Sequence, residues 1–303
     1  MKIIECVPNF SEGRDRKKVD EIIRAVSEID GARILDYSLD GDHNRSVLTF
    51  IGSSDVVKKG ALAASRKALE VIDMRRHTGV HPRIGAVDVV PFVPLMDSTM
   101  NEAVEVAHSF GRIFGEESNI PVYFYGAAAL RDDRKNLARV RRGQYEGLKE
   151  NIEDSAWMPD AGPARFNACG GATAVGARKP LVAFNVNLDS DDLRLAKEIA
   201  RSIRYSGGGF EHVMAIGVML ANRGKVQVSM NLTDYEVTSP RRVFDAIKNA
   251  ADLQGVAILE SEIIGLIPRA ALADTTAEYL KLSGFRREVI LENHIATLSL
   301  TIT

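Results

Sequence analysis

The chain has 303 residues, enough to bury a sizeable core and to form two domains of about 150 residues each. Its 39 basic and 41 acidic side chains nearly cancel, giving a formal charge of -2; this argues against a nucleic-acid coat or a membrane-surface protein. Glu5 interrupts the apolar run that a signal peptide would need, and no run of about eighteen apolar residues occurs. The sequence therefore predicts no leader and no membrane span. Its two cysteines, Cys6 and Cys169, suit a reducing cytoplasm.

In chain order, the pattern predicts a strand over 2–7, a turn at 8–13 and a helix over 15–29. In that helix Val19, Ile22, Ile23, Val26 and Ile29 recur with helical spacing. Strands follow over 32–38 and 45–52, joined by a polar turn. Ser53 or Ser54 caps a helix that runs to Ile72. A strand over 86–93, a helix over 100–117 and a strand over 121–125 come next. Residues 127–142 form a basic run with little apolar periodicity, which reads as a solvated helix face. The segment 157–171 lacks regular pattern but holds Trp157 and Phe166; an ordered ligand-contacting loop and a packed linker both fit it. The second half predicts a strand over 181–188, a helix over 191–203 and a hairpin of 213–220 with 226–232. A helix from Pro240, a short strand over 256–260 and a helix over 270–282 follow. Each half has the order β-α-β-β-α-β, so the expected fold is α+β, an α/β sandwich. It would comprise two similar ferredoxin-like subdomains, residues 1–180 and 181–303.

The segment between the helix ending at Ile72 and the strand starting at Ala86 is the expected centre of function. Gly79, Pro82 and Gly85 break regular structure there, and His77, His81, Arg75, Arg76 and Arg83 make it cationic. Proline restricts the residue before it to an extended backbone, so Pro82 holds His81 stiffly, as a positioned general base requires. A zinc site through His77 and His81 would need a helix across Thr78-Gly79 and lacks the flanking Glu. No metal is expected. The glycines at 207–209 and at 170, 171 and 176 lack a dinucleotide fingerprint, and no Walker motif occurs. Nicotinamide, flavin and nucleoside triphosphate cofactors gain no support.

Several long blocks carry a resemblance that extends over essentially the whole chain. They are Cys6-Val7-Pro8-Asn9-Phe10-Ser11-Glu12-Gly13, His43-Asn44-Arg45, Ile72-Asp73-Met74, Gly79-Val80-His81-Pro82-Arg83-Ile84-Gly85, Pro121-Val122-Tyr123 and Asn231-Leu232-Thr233-Asp234-Tyr235-Glu236-Val237-Thr238. Together they resemble the glutamate formiminotransferase family. The resemblance implies transfer of the formimino group from N-formimino-L-glutamate to N5 of tetrahydrofolate, giving 5-formiminotetrahydrofolate and L-glutamate, within histidine degradation. It further implies a cytoplasmic homodimer with tetrahydrofolate as co-substrate, and leaves a separate cyclodeaminase as a candidate partner. Neither nucleic acid nor membrane is an expected partner.

By the same resemblance, the catalytic histidine falls on His81. The folate-contacting segment falls on Gly162, Pro163, Ala164, Arg165, Phe166, Asn167, Ala168, Cys169, Gly170 and Gly171. Within that segment Asn167-Ala168-Cys169 departs from the pattern of the animal enzymes. His77 matches a family position but receives no role. Candidate substrate-binding residues are Arg45, Arg83 and Arg178, because guanidinium groups suit the planar carboxylates of glutamate and folate, and Asn9 and Asn44, whose amides either hydrogen-bond polar substrate groups or cap turns. Asp36, Asp40, Asp42 and Glu12 are weaker candidates to stabilise charge in the tetrahedral intermediate. Two other functions fit the same blocks: formyl transfer from N-formylglutamate, as in 5-formyltetrahydrofolate salvage, and folate binding without turnover.

Overall fold

Ile4 and Cys6 of the first strand, β1 (Lys2–Cys6), enter an apolar core, while Glu5 lies on the opposite side. That alternation sets the layering of the first unit. The computed structural model describes residues 2–41, 43–79, 82–220 and 223–299, and the chain divides into two units, 1–178 and 179–303.

The first unit contains β1, β2 (Asn9–Phe10), α1 (Arg16–Ser27), β3 (Arg33–Asp40), β4 (Arg45–Gly52), α2 (Ser54–Val71), β5 (Val87–Met96) and α3 (Met100–Ser118). It continues through β6 (Val122–Gly126), α4 (Leu137–Val140), α5 (Gln144–Asn151) and β7 (Thr173–Ala177). These strands form one seven-stranded sheet. β1 and then β2 lie between β4 and β5, β3 flanks β4, and β7 runs parallel to both β5 and β6. Phe50, Phe92, Phe124 and Val175 meet Ile22 of α1, Ala61 and Ala64 of α2, and Phe110 and Phe114 of α3 in one core. Each fully buried Phe contributes about 1.5–3 kcal/mol. Close approach requires Gly60: a Cβ there would lie 2.7 Å from the Phe50 ring. The helix starts follow from capping: Asp15 accepts the N–H of Lys17, Ser53 that of Val56, and Thr99 with Glu102 forms a capping box.

A smaller core lies elsewhere in the unit, where Val89, Tyr123, Tyr125 and Ala174 pack with Val140 and Leu148, against partly buried Trp157 and Phe166. Here the structure corrects the reading of 127–142 as a solvated face. Two of its arginines are paired inside: Arg134, 5 % exposed, lies 2.7 Å from Asp160, and Arg141 pairs with Asp88. The region is broken into a 3-10 turn at Asp132–Arg134 and the four-residue α4. The short strands β2 and β7 also escaped the pattern; a two-residue strand and a run of Thr, Ala and Gly carry no alternating signal.

The second unit contains β8 (Val182–Leu188), α6 (Leu193–Ile203), β9 (Val213–Leu220), β10 (Lys225–Leu232), α7 (Pro240–Asp252), β11 (Ile258–Ile264) and α8 (Leu291–Ser299). Its antiparallel sheet has the order β11-β8-β10-β9. Phe184, Val186, Val228 and Met230 pack with Ile199, Ile203, Phe244 and Ile247 from α6 and α7. The helix expected over 270–282 does not form. Only a 3-10 turn, Arg269–Leu272, stands there, because the chain beyond it pairs with β11. The Ser261 N–H donates to the Lys281 carbonyl at 2.8 Å, and the Ser283 N–H donates to the Ser261 carbonyl at 2.8 Å. Among the described residues no helix is long and apolar enough to cross a membrane.

Candidate functional site

Asn44 joins three segments of the first unit. Its φ of 49° is in the left-handed region, which asparagine tolerates. Its Oδ1 accepts the Gly13 N–H at 3.0 Å, its Nδ2 donates to the Thr78 carbonyl at 3.0 Å, and its own carbonyl lies 3.0 Å from His77 Nε2. Gly13 and Gly79 make the close approach feasible: a Cβ would lie 2.3 Å from the Asp40 carbonyl oxygen in one case and 2.4 Å from that of His43 in the other.

Arg83, 8 % exposed, bonds the same histidine. Its Nε donates to His77 Nδ1 at 3.3 Å; its two terminal nitrogens meet Glu146 at 2.8 and 2.5 Å, and one donates to Gln144 at 3.2 Å. A guanidinium only donates, so His77 Nδ1 is an acceptor and Nε2 carries the hydrogen given to Asn44. Burial holds the His77 pKa below its ordinary value; the Asn44 carbonyl opposes that shift and the Arg83 charge adds to it. Arg83 in turn holds the Glu146 carboxyl below its usual range. Arg75 is engaged by Asp73, at 2.6 Å.

The segment 162–171 is irregular but pinned. Asn167 Oδ1 accepts the N–H groups of Cys169 at 3.1 Å and Gly170 at 2.9 Å. The Cys169 carbonyl accepts from Met74, that of Gly170 from Ala86, and Tyr145 Oη donates to the Ala168 carbonyl at 2.6 Å. Gly85 and Gly171 face each other, and a Cβ on Gly85 would lie 2.2 Å from the Ala172 carbonyl oxygen. Phe166 packs by Tyr145 with centroids 5.4 Å apart. Ala164, Arg165, Ala168 and Cys169 are exposed. The segment is thus held by hydrogen bonds to Met74, Ala86 and Tyr145, with four residues exposed.

A row of polar groups crosses the sheet on the Glu5 side. Asn9 Oδ1 accepts from Arg45 and its Nδ2 donates to the Val7 carbonyl at 2.8 Å. Asp88, 2 % exposed, accepts the Ile84 N–H at 2.9 Å and pairs with Arg141. Burial, then the neighbouring Arg141, lowers the Arg45 pKa to about 10, while Asp88, Asp40 and Tyr125 oppose that. Burial raises the Tyr125 pKa, opposed by Arg178 and Arg141, and its hydroxyl is hydrogen-bonded with Arg178. Burial pushes the Glu5 carboxyl up to about 7, with only Arg178 opposing it.

Residues 3–178 match the family described as the formiminotransferase domain, N-terminal subdomain, and residues 183–301 match the formiminotransferase domain. The chain belongs to this family. It is 46 % identical to a glutamate formimidoyltransferase of Streptococcus pyogenes serotype M1, over 97 % of this chain and 99 % of that protein. It is also 46 % identical to one from Thermoplasma acidophilum, over 96 % and 97 %. With a formimidoyltransferase-cyclodeaminase of Rattus norvegicus it shares 42 % identity over 92 % of this chain, which spans about half (52 %) of that protein.

For a formiminotransferase-family chain, the expected site residues fall into distinct settings. His81, together with Asp42, lies outside the described residues. Asn9 and Arg45 contact each other, Asn44 and Arg83 both bond His77, and Arg178 stands by Tyr125 and Glu5. Glu12 accepts the N–H groups of Arg14 and Asp15, both at 3.0 Å, and so opens α1. Asp40 binds His43 at 2.7 Å, and Asp36 sits across from Thr49 on β3. Sequence reasoning passed over Glu5, Asp88, Tyr125, Arg141 and Glu146. Glu5 and Asp88 did carry a signal, a charge inside an otherwise apolar strand. Among the described residues no group of three His, Cys, Asp or Glu side chains is arranged to hold a metal ion.

Proposed function

We propose that this chain transfers the formimino group from N-formimino-L-glutamate to N5 of tetrahydrofolate, releasing L-glutamate. The observation that carries this reading is the match, at 46 % identity and over 97 % of this chain, to a protein named glutamate formimidoyltransferase. The N5 lone pair attacks the formimino carbon, and a tetrahedral centre forms. The bond from that carbon to the glutamate nitrogen then breaks. His81 is the base that takes the N5 proton and returns it to the departing nitrogen; an ordinary imidazole, titrating near about pH 6.5, serves both directions at neutral pH.

The described residues support that role from either side of His81. His77 and Thr78 before it are bonded to Asn44, and Arg83 after it to His77 and Glu146. Arg83 has its fork on Glu146, so we assign it to positioning. Asn44 has the same task. Arg45, beside Arg141 and oriented by Asn9, is our candidate for a substrate carboxylate, and Arg178, beside Tyr125, is our candidate for a further polar substrate group. The exposed stretch of 162–171 is our folate-contacting loop. We read the two units as related ferredoxin-like subdomains, 1–180 and 181–303, supported by the sheet order β11-β8-β10-β9 and by β5, β1, β4 and β3 lying side by side. A cytoplasmic homodimer completes the reading, with a separate cyclodeaminase as a candidate partner.

His81→Ala tests it. Turnover of the formimino donor falls by about 10²–10⁴-fold while tetrahydrofolate still binds with an affinity within about twofold. Full turnover in the variant would remove His81 from the mechanism.

A further inference from the structure

Glu5 is an anomaly in its strand. It is 6 % exposed, lies opposite Ile51 and Val93, and its carboxyl accepts no hydrogen bond among the described residues. A carboxylate withdrawn from water without donors is costly, and its ordinary remedy, a partner, is present only as the charge of Arg178. Register explains how the two converge. Glu5 pairs with Val93 on one side of β5, and the Arg178 N–H donates to the Phe92 carbonyl on the other. Neighbouring strands are about 4.8 Å apart, so the two Cα atoms stand on the order of 10 Å apart, within the combined reach of both side chains. The next strand adds an aromatic surface. Tyr125 pairs with Gly176, and a Cβ on Gly176 would lie 2.5 Å from the tyrosine ring, so this ring lies over the glycine with its hydroxyl on Arg178.

When Glu5 is ionised it only accepts, and the guanidinium only donates; side by side and beside an aromatic ring, the two select a narrow class of ligand. A cationic group would be repelled by Arg178 and an anionic one by Glu5. A neutral planar edge that presents two adjacent N–H donors and then a carbonyl satisfies both. Resting on the reading of tetrahydrofolate as acceptor, we infer that Glu5 and Arg178 bind the 2-amino-4-oxo edge of its pterin ring. In this arrangement Glu5 accepts from the 2-amino group and N3–H, and Arg178 donates to the 4-oxo oxygen. Glu5 is then a substrate-contacting residue that sets affinity for the acceptor and not for the donor.

The test compares the wild-type chain with Glu5→Gln and Glu5→Asp in steady-state kinetics, alongside direct titration with a tetrahydropterin that lacks the p-aminobenzoylglutamate tail. Glu5→Gln turns an amide N–H toward the pterin donors. The expected result is a rise of at least about tenfold in the KM for tetrahydrofolate, with the KM for the glutamate donor within about twofold. Glu5→Asp should fall between, and tail-less pterin binding should be lost in Glu5→Gln. An unchanged tetrahydrofolate KM, or a rise confined to the donor, would overturn the assignment of Glu5 while leaving the transfer reaction intact. If the wild-type chain failed to bind tetrahydrofolate at all, the acceptor itself would be wrong and this subsite would fall with it.

Discussion

Arg83 fixes the tautomer of His77. Its Nε donates to Nδ1 at 3.3 Å, which leaves Nε2–H, 3.0 Å from the Asn44 carbonyl, as the ring's nitrogen-bound hydrogen. The pKa of His77 is lowered by burial, so the neutral form is favoured in the fold. Stability from this residue is therefore fully present above the unfolded-state value of about 6.5 and is lost as pH falls through the lower folded-state value. Nitrogen-detected NMR should report the Nε2–H form at pH 7. His77→Asn should flatten the decline of Tm below about pH 6.5; an unchanged decline would contradict the assignment.

Glu5 predicts the opposite sign. Its carboxyl is raised to about 7, so whatever it contributes is fully present below the unfolded value of about 4.3 and is lost as pH rises through 7. Glu5→Gln should therefore melt with the wild type at pH 4 but be more stable at pH 8, by up to about 3 kcal/mol. Urea unfolding at the two pH values measures this. A variant less stable at pH 8 would mean that the carboxylate is well paired.

Asp88 and Arg141 are a buried pair whose side chains are 3 % and 12 % exposed. Removing one charge from such a pair costs about 3–5 kcal/mol because the other stays buried without compensation. Asp88→Asn should lose that much by denaturant titration, since Arg141 is left facing Arg45. Asp88→Asn with Arg141→Met should recover part of it.

Gly85→Ala would press a methyl group against the carbonyl oxygens of Ala172 and Gly170, at 2.2 and 2.5 Å. The backbone of 170–172 must move, and a cost of about 1–3 kcal/mol follows from overpacking. Because that backbone closes the 162–171 segment, the KM for tetrahydrofolate should rise as well. Gly147→Ala is the control: its Cβ meets only Asn151 Nδ2, at 3.7 Å, and a helical alanine should add about 0.5–1 kcal/mol.

What the sequence could and could not announce follows from range. Val19, Ile22 and Val26 declare α1 by local spacing, and Ser53 and Pro240 mark helix starts because caps are local chemistry. Arg141 carries no such mark. Its burial depends on Asp88, 53 positions away, so a basic run looked solvated. The residues 270–282 have helical composition, yet pairing of 281–283 with β11 overrode that preference. Asn44 and Arg83 were legible as candidates, but not that one holds the Gly13 loop and the other is already engaged by Glu146. The family blocks conveyed the chemistry; the long-range bonds of Arg83 to His77 and Glu146 are the ground on which we propose a supporting role for it.

The most direct measurement of the central claim is the product formed when the purified chain is given tetrahydrofolate with N-formimino-L-glutamate or with N-formyl-L-glutamate. Formation of 5-formiminotetrahydrofolate with an equal amount of free glutamate, and much slower reaction of the formyl donor, is the predicted result. Reaction of the formyl donor alone, or of neither donor while tetrahydrofolate is bound, would contradict it.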